Sequence, residues 1–200
     1  MTTLTLAATA LLALSSSQQA VQSIFGQDAP AFTLPDSTGK SHSLADYKGK
    51  YVVLEWSNHQ CPYVVKHYGS GNMQATQKWA REKGVVWLTI VSSAPGKQGY
   101  VTPDQANALI KSQGFDIDGM LLDPNGAVGK SYFAKTTPHM FIVSPGQKVV
   151  YAGAIDDKPS GSVADIASAN NFVKSALTEA MDGRTITVPS SRPYGCSVKY

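Results

Sequence analysis

The sequence predicts an α/β domain with a central mixed β-sheet, helices on both faces and an N-terminal β-hairpin. Three observations carry that prediction. "YVVLEW" (51–56) and "VVWLTIVSS" (85–93) are apolar runs of strand length, as in strands buried on both faces. Segments of helical spacing alternate with these runs. A "SPGQ" turn joins "HMFIV" to "KVVYAGAI", which adds antiparallel pairing near the C-terminus and makes the sheet mixed.

The elements follow in order. Phe32 and Leu34 alternate with polar neighbours, "DSTGK" is a turn, and "SHSL" returns as a second short strand. "LADYKGK" is a short turn or helix, and the first central strand follows it. Helical spacing begins at Pro62, a residue suited to the first helical position. "GSGN" (69–72) interrupts it, so the helix breaks or kinks near Gly69–Gly71 and resumes as "MQATQKWAREKG". After the second central strand, "APGKQGYVTP" reads as an exposed insertion. "TPDQANALIKSQG" is a helix with Thr102 as N-cap and Pro103 at its first position. "MLLD" is a strand and "AVGKSYFA" a short helix. The C-terminal hairpin precedes one long terminal helix, "SVADIASANNFVKSALTEAMDG". The tail "RTITVPSSRPYGCSVKY" reads as extended over the surface.

Composition narrows the function classes. The chain has 200 residues, 42% hydrophobic and 16% charged, as in ordinary globular domains. Net charge is +3, and the densest basic stretch, "KWAREK", includes a glutamate and reads as a solvated helix face. Nucleic acid is therefore not an expected partner. Two cysteines, Cys61 and Cys196, are too few for a disulfide framework or a cysteine zinc site, and suffice for one disulfide. The apolar run Leu4–Leu14 is too short to span a bilayer at ~20 residues. It predicts a secretory signal peptide over 1–22, and hence a periplasmic or secreted protein. The alternative is an N-terminal helix packed on a cytoplasmic domain. No stable membrane span is expected.

The stretch "NHQCPYVVKHYGSGN" (58–72) holds the chemistry. Cys61 stands just before Pro62, in the N-cap region of a helix whose free N–H groups and dipole lower a thiol's pKa. His59, Lys66 and His67 add positive charge nearby in sequence. The competing reading is a buried, inert cysteine.

The hairpin "APAFTLPDSTGKSHSL", the strand–Cys61–Pro62–helix and the later "TTPHMFIV" together resemble the thioredoxin-like redoxins. These include the alkyl hydroperoxide reductase/thiol-specific antioxidant group and the thiol–disulfide oxidoreductases. The resemblance spans roughly 28–181, leaving 182–200 as a tail that carries Cys196. It implies a cis-proline at Thr137-Pro138 facing Cys61, with the Thr137 backbone pairing to an extended substrate. Glu55 matches the buried acid that exchanges protons with active-site thiols; the other reading of Glu55 is a solvent-facing or ion-paired residue. The peroxiredoxin pattern P-x-x-x-T/S-x-x-C falls on Leu54, Asn58 and Cys61, so only the cysteine matches. No arginine lies near "AKTTPHMF", and Asn58 is left as a substitute donor. The resemblance thus implies thiol–disulfide exchange, with peroxiredoxin-like peroxidase activity as the alternative. Expected partners are protein or small-molecule thiols and disulfides, or peroxides, with no cofactor and no metal.

Val64 stands where a C-x-x-C motif has its second cysteine. Cys196 is the other thiol available within the chain, and a resolving cysteine in a mobile tail is known among redoxins. By that analogy Cys196 resolves Cys61. A free thiol, an intermolecular bridge and a static disulfide remain open. A third class, a copper-binding chaperone using His59, Cys61, His67 and His139, lacks the second cysteine such proteins use.

Overall fold

The computed structural model describes residues 24–200; the expected leader, 1–22, lies outside the described residues. Strands β1 (Thr33–Pro35) and β2 (Ser41–Ser43) pair antiparallel as the predicted hairpin. Asp36 closes its turn by accepting the Thr38 and Lys40 N–H groups, and its other oxygen bonds His42 at 2.9 Å. A 3-10 turn, Leu44–Tyr47, leads into the main sheet.

That sheet has five strands in the order β5-β4-β3-β7-β8. At its centre β3 (Val52–Trp56) runs parallel to β4 (Val86–Val91) and antiparallel to β7 (His139–Val143). β5 (Gly119–Leu122) extends the parallel side; β8 (Val149–Gly153) closes the other with the predicted hairpin turn. The strand period of two sorts the apolar runs onto two faces. Val52, Leu54 and Trp56 pack with Phe32, Leu44, Tyr132 and Phe141. Val53 packs on the opposite face with Trp87, Met140 and Tyr151, beneath residues of α1 (Pro62–Gly69), α2 (Asn72–Arg81) and α5 (Phe172–Met181). α3 (Pro103–Gln113) covers the β5 edge through Ala106, and its Thr102 cap and Pro103 start are as predicted. α4 (Ala127–Ser131) supplies Val128 to the hairpin side. Outside the main sheet, β6 (Thr136–Thr137) pairs antiparallel with β9 (Cys196–Ser197).

The predicted break after Cys61 is present. α1 stops at Gly69, and Gly71 adopts φ +76° before α2 begins, a conformation glycine adopts at little cost. Three expectations need correction. The terminal helix is not continuous: a 3-10 segment, Val163–Ser168, precedes α5. Asn170 is tied to Asp157 by two 2.9 Å bonds, and the Asn171 side chain caps the Lys174 N–H. Asparagine competes for backbone partners in this way and so favours caps over helix interiors. The 94–103 insertion is not wholly exposed. Gly99 is buried against the Asn58 side chain, and Val101 joins the apolar cluster at β5. The tail is extended but docked, as described below.

Candidate active site

The loop after β3 is built around Asn58. Its side-chain oxygen accepts the Gln60 N–H at 2.9 Å, and its carbonyl accepts the Cys61 N–H at 2.9 Å. Its amide donates to the Gln98 carbonyl at 3.4 Å. Asn58 is thus committed to shaping the loop, and no bond joins its side chain to the Cys61 sulfur. Cys61 is the N-cap residue of α1 with Pro62 at the first helical position, as the sequence predicts.

Cys61 is 0% exposed. Its Sγ lies 3.0 Å from the Thr137 carbonyl oxygen, to which the thiol donates, and the Thr137-Pro138 peptide is cis. The Cys196 N–H donates to the same sulfur at 3.4 Å. β9 sets this contact: its register places Cys196 opposite Thr137. The two cysteines share the site as free thiols. Val64, at the usual second-cysteine position, is on the core-facing side of α1 and buried.

The surroundings divide the two thiols. Burial pushes the Cys61 pKa up. Hydrogen bonds from the Cys196 thiol and N–H, the Thr137 hydroxyl and the Val64 N–H outweigh it, and Cys61 sits below an ordinary thiol. Cys196 moves the other way, up to about 11, through burial, its hydrogen bond to Cys61 and the Cys61 charge, with Lys199 opposing. Of the two thiols, Cys61 is the one that gives up its proton more readily.

Glu55 is 0% exposed and lies on the same sheet face as Val53, toward α1. It accepts bonds from Tyr68 (2.8 and 3.0 Å), Trp87 (2.9 Å), Thr89 (3.2 Å) and Gln77 (3.3 Å). The solvent-facing or ion-paired reading is therefore wrong. Burial raises its pKa against those four donors. None of its bonds reaches Cys61. His59 is half-buried, with its pKa lowered by burial, and makes no hydrogen bond to Cys61.

The other histidines do not gather. His139 accepts the Lys135 N–H at 3.2 Å and is pushed down to about 3 by burial and by the Lys135 charge. His67 bonds Tyr194 at 3.2 Å and Asn72 at 2.9 Å. Among the described residues no three His, Cys, Asp or Glu side chains converge on a metal-sized site.

Sequence reasoning missed Tyr194 and Asp156. The Tyr194 hydroxyl donates to Asp156 Oδ1 at 2.5 Å, while Lys66 lies 5.6 Å from the Tyr194 ring centroid. A tyrosine two residues ahead of the only tail cysteine was the available signal. Gly195, between them, has φ +135°, and a Cβ there would sit 2.1 Å from the Thr137 oxygen. Only glycine allows the tail to approach this closely.

The AhpC/TSA family model matches residues 25–152. The chain belongs to the AhpC/TSA family. Among curated relatives of this redoxin is the thiol-disulfide oxidoreductase ResA of Bacillus subtilis (strain 168), 30% identical over 132 residues. That match covers 62% of this chain and 64% of ResA, just under two thirds of the relative's length. Two solved structures share the fold. A hypothetical protein of Sinorhizobium meliloti 1021 has a TM-score of 0.75 at 22% identity, covering 88% of this chain and 94% of its own. An uncharacterised conserved protein of Geobacillus kaustophilus also has a TM-score of 0.75, at 24% identity, covering 88% and 92%. Thr137 and Pro138 lie inside the family match, whereas Tyr194 and Cys196 lie beyond it. Among the described residues no helix is long and apolar enough to cross a membrane.

Proposed function

We propose that this redoxin is a thiol–disulfide oxidoreductase in which Cys61 is the attacking thiol and Cys196 the resolving one. The Cys196 N–H, 3.4 Å from the Cys61 sulfur, carries this reading. The Cys61 thiolate attacks one sulfur of a substrate disulfide, forms a mixed disulfide and expels the first thiolate. Cys196, after losing its proton, attacks the Cys61 sulfur, expels the second thiolate and leaves a Cys61–Cys196 disulfide. Two electrons pass from the protein to the substrate. Cys196 is already docked beside Cys61, so the second step is intramolecular and needs no delivery by a mobile tail.

A disulfide substrate is favoured over a peroxide. Peroxide reduction needs fixed donors aimed at the two oxygens. Asn58 is spent on its loop, Arg81 is paired with Asp116 and Asp118, and Arg184 with Glu179 and Asp182. Glu55 is proposed as a buried proton store for the site. Thr137 and Pro138 shape the wall opposite Cys61, and the Thr137 carbonyl accepts the Cys61 S–H until that proton is lost. We place the protein outside the cytoplasm on the strength of the apolar run at 4–14, and N-terminal sequencing from the native cell checks that. The cysteine assignment is tested by one equivalent of diamide followed by non-reducing peptide mapping. A Cys61–Cys196 linkage is expected; free Cys196 beside oxidised Cys61 overturns it.

A further inference from the structure

The tail does more than carry Cys196. Ser191 accepts the Ala154 N–H at 2.9 Å and exchanges a 2.8 Å bond with the Tyr151 hydroxyl. Beyond β9, the Val198 N–H donates to the Lys135 carbonyl at 3.0 Å, and the Tyr200 hydroxyl to that of Ala134 at 2.8 Å. Between these anchors the chain passes directly over Cys61, and the residue at its centre is Tyr194.

Tyr194 is gripped by buried charge. Asp156 is 2% exposed, and its Oδ1 accepts both the Tyr194 hydroxyl and the Lys158 N–H. Its Oδ2 has no hydrogen-bond partner and lies 3.9 Å from both Lys66 Nζ and His67 Nε2. Lys66, itself buried, donates to the Lys158 carbonyl at 2.9 Å. The Tyr194 ring packs on Tyr63, with centroids 5.8 Å apart. A buried ionic cluster of this kind is weak evidence for stability. Here it stands on α1, the helix that Cys61 caps, and on the loop that follows β8, and it holds one tail side chain. Meanwhile β9 occupies the Thr137 backbone, the strand edge an extended partner would need.

We infer that Tyr194, held by Asp156, His67 and Lys66, is a positioning residue that fixes Cys196 over Cys61 and restricts Cys61 to small disulfides. Peptide-sized partners are excluded until the tyrosine is released, because β9 and the partner compete for one edge. A small disulfide needs only a local opening at the sulfur. This rests on the cysteine roles proposed above, but its test separates the two.

The test compares Cys196→Ser with Cys196→Ser/Tyr194→Phe in the full-length protein, so that Cys61 is the sole thiol. Phenylalanine keeps the ring packing and removes the hydroxyl. Rates of Cys61 modification are measured with methyl methanethiosulfonate and with a polyethylene-glycol maleimide. The ratio of bulky to small rates should rise about tenfold or more, the scale of losing one hydrogen bond to a charged group. An unchanged ratio, including equal acceleration of both reagents, overturns the inference. In the Tyr194→Phe single variant, closure of a Cys61 mixed disulfide by Cys196 should slow by a similar factor, and restoring tyrosine should restore it. Unslowed closure also overturns the positioning role. Should wild-type protein never form the Cys61–Cys196 disulfide, the resolving role fails while the bulky-to-small ratio still decides the question of access.

Discussion

Cys61 and Cys196 are the same side chain in two environments. Cys61 receives hydrogen bonds and sits below an ordinary thiol, whereas Cys196 gives one and is pushed up to about 11. Iodoacetamide labelling followed by mass spectrometry should therefore show two separate pH profiles. Cys61 alkylation should level off at a lower pH than an unperturbed thiol does, while Cys196 alkylation is still rising at pH 10. Coincident profiles would refute the assignment of roles. Glu55 offers a second test. Its buried carboxyl has a pKa raised above 4.5, so the folded state binds its proton more tightly than the unfolded state. The stability this gives is fully present below pH 4.5 and is lost as pH rises through the folded value. Glu55→Gln cannot titrate. The stability of wild type relative to Glu55→Gln, from urea unfolding, should fall as pH rises above 4.5. A constant difference would mean that folding does not raise the Glu55 pKa. Residue reasoning from sequence reached Cys61 through local signals, a strand end and a helix start, whereas Thr137 and Pro138 came only with the resemblance to the redoxins. It did not reach Asp156, whose importance depends on a tyrosine 38 positions away.

At the scale of elements, β3, β4 and β7 were legible because each is an apolar run of strand length between turn signals. The helix breaks were legible where glycine causes them, at Gly69–Gly71, and illegible where two asparagines do, at Asn170 and Asn171. Nothing local marks β9, because its two residues form a strand only through Thr136 and Thr137. That pairing has a weak point at Gly195, where φ +135° and the Thr137 oxygen both exclude a Cβ. Gly195→Ala should separate β9 from β6, at a cost of about 1–3 kcal/mol for the backbone strain alone. Closure of the Cys61–Cys196 disulfide should slow at least tenfold, and the Val198 amide should lose protection from hydrogen exchange. Unchanged protection would show that the tail is held by its flanking anchors and not by the ladder.

For the molecule as a whole, the fold class follows from the alternation of strands and helices, and the family from residues 25–152. The site is divided between that common body and a tail outside it, which is why its second thiol could be named from sequence by analogy but not placed. Two of the buried histidines contribute to the acid response. His67 is held down to about 4, first by burial and then by Lys66, with Asp156 opposing; His139 is held down to about 3. Both bind protons more weakly when folded, so the stability they give is complete above their unfolded value of ~6.5 and is lost as pH falls through 4 and 3. Urea midpoints should drop across that window, less steeply in His139→Gln; an identical slope would place the loss elsewhere. The central claim is that Cys61 attacks and Cys196 resolves. It is tested most directly by single-turnover reaction with a chromogenic aromatic disulfide, followed by intact mass. Wild-type protein should release two equivalents of aromatic thiolate and end with no adduct, lighter by two hydrogens. Cys196→Ser should release one equivalent and keep one aromatic group on Cys61. A wild-type protein that retains an aromatic group on either cysteine would contradict the account.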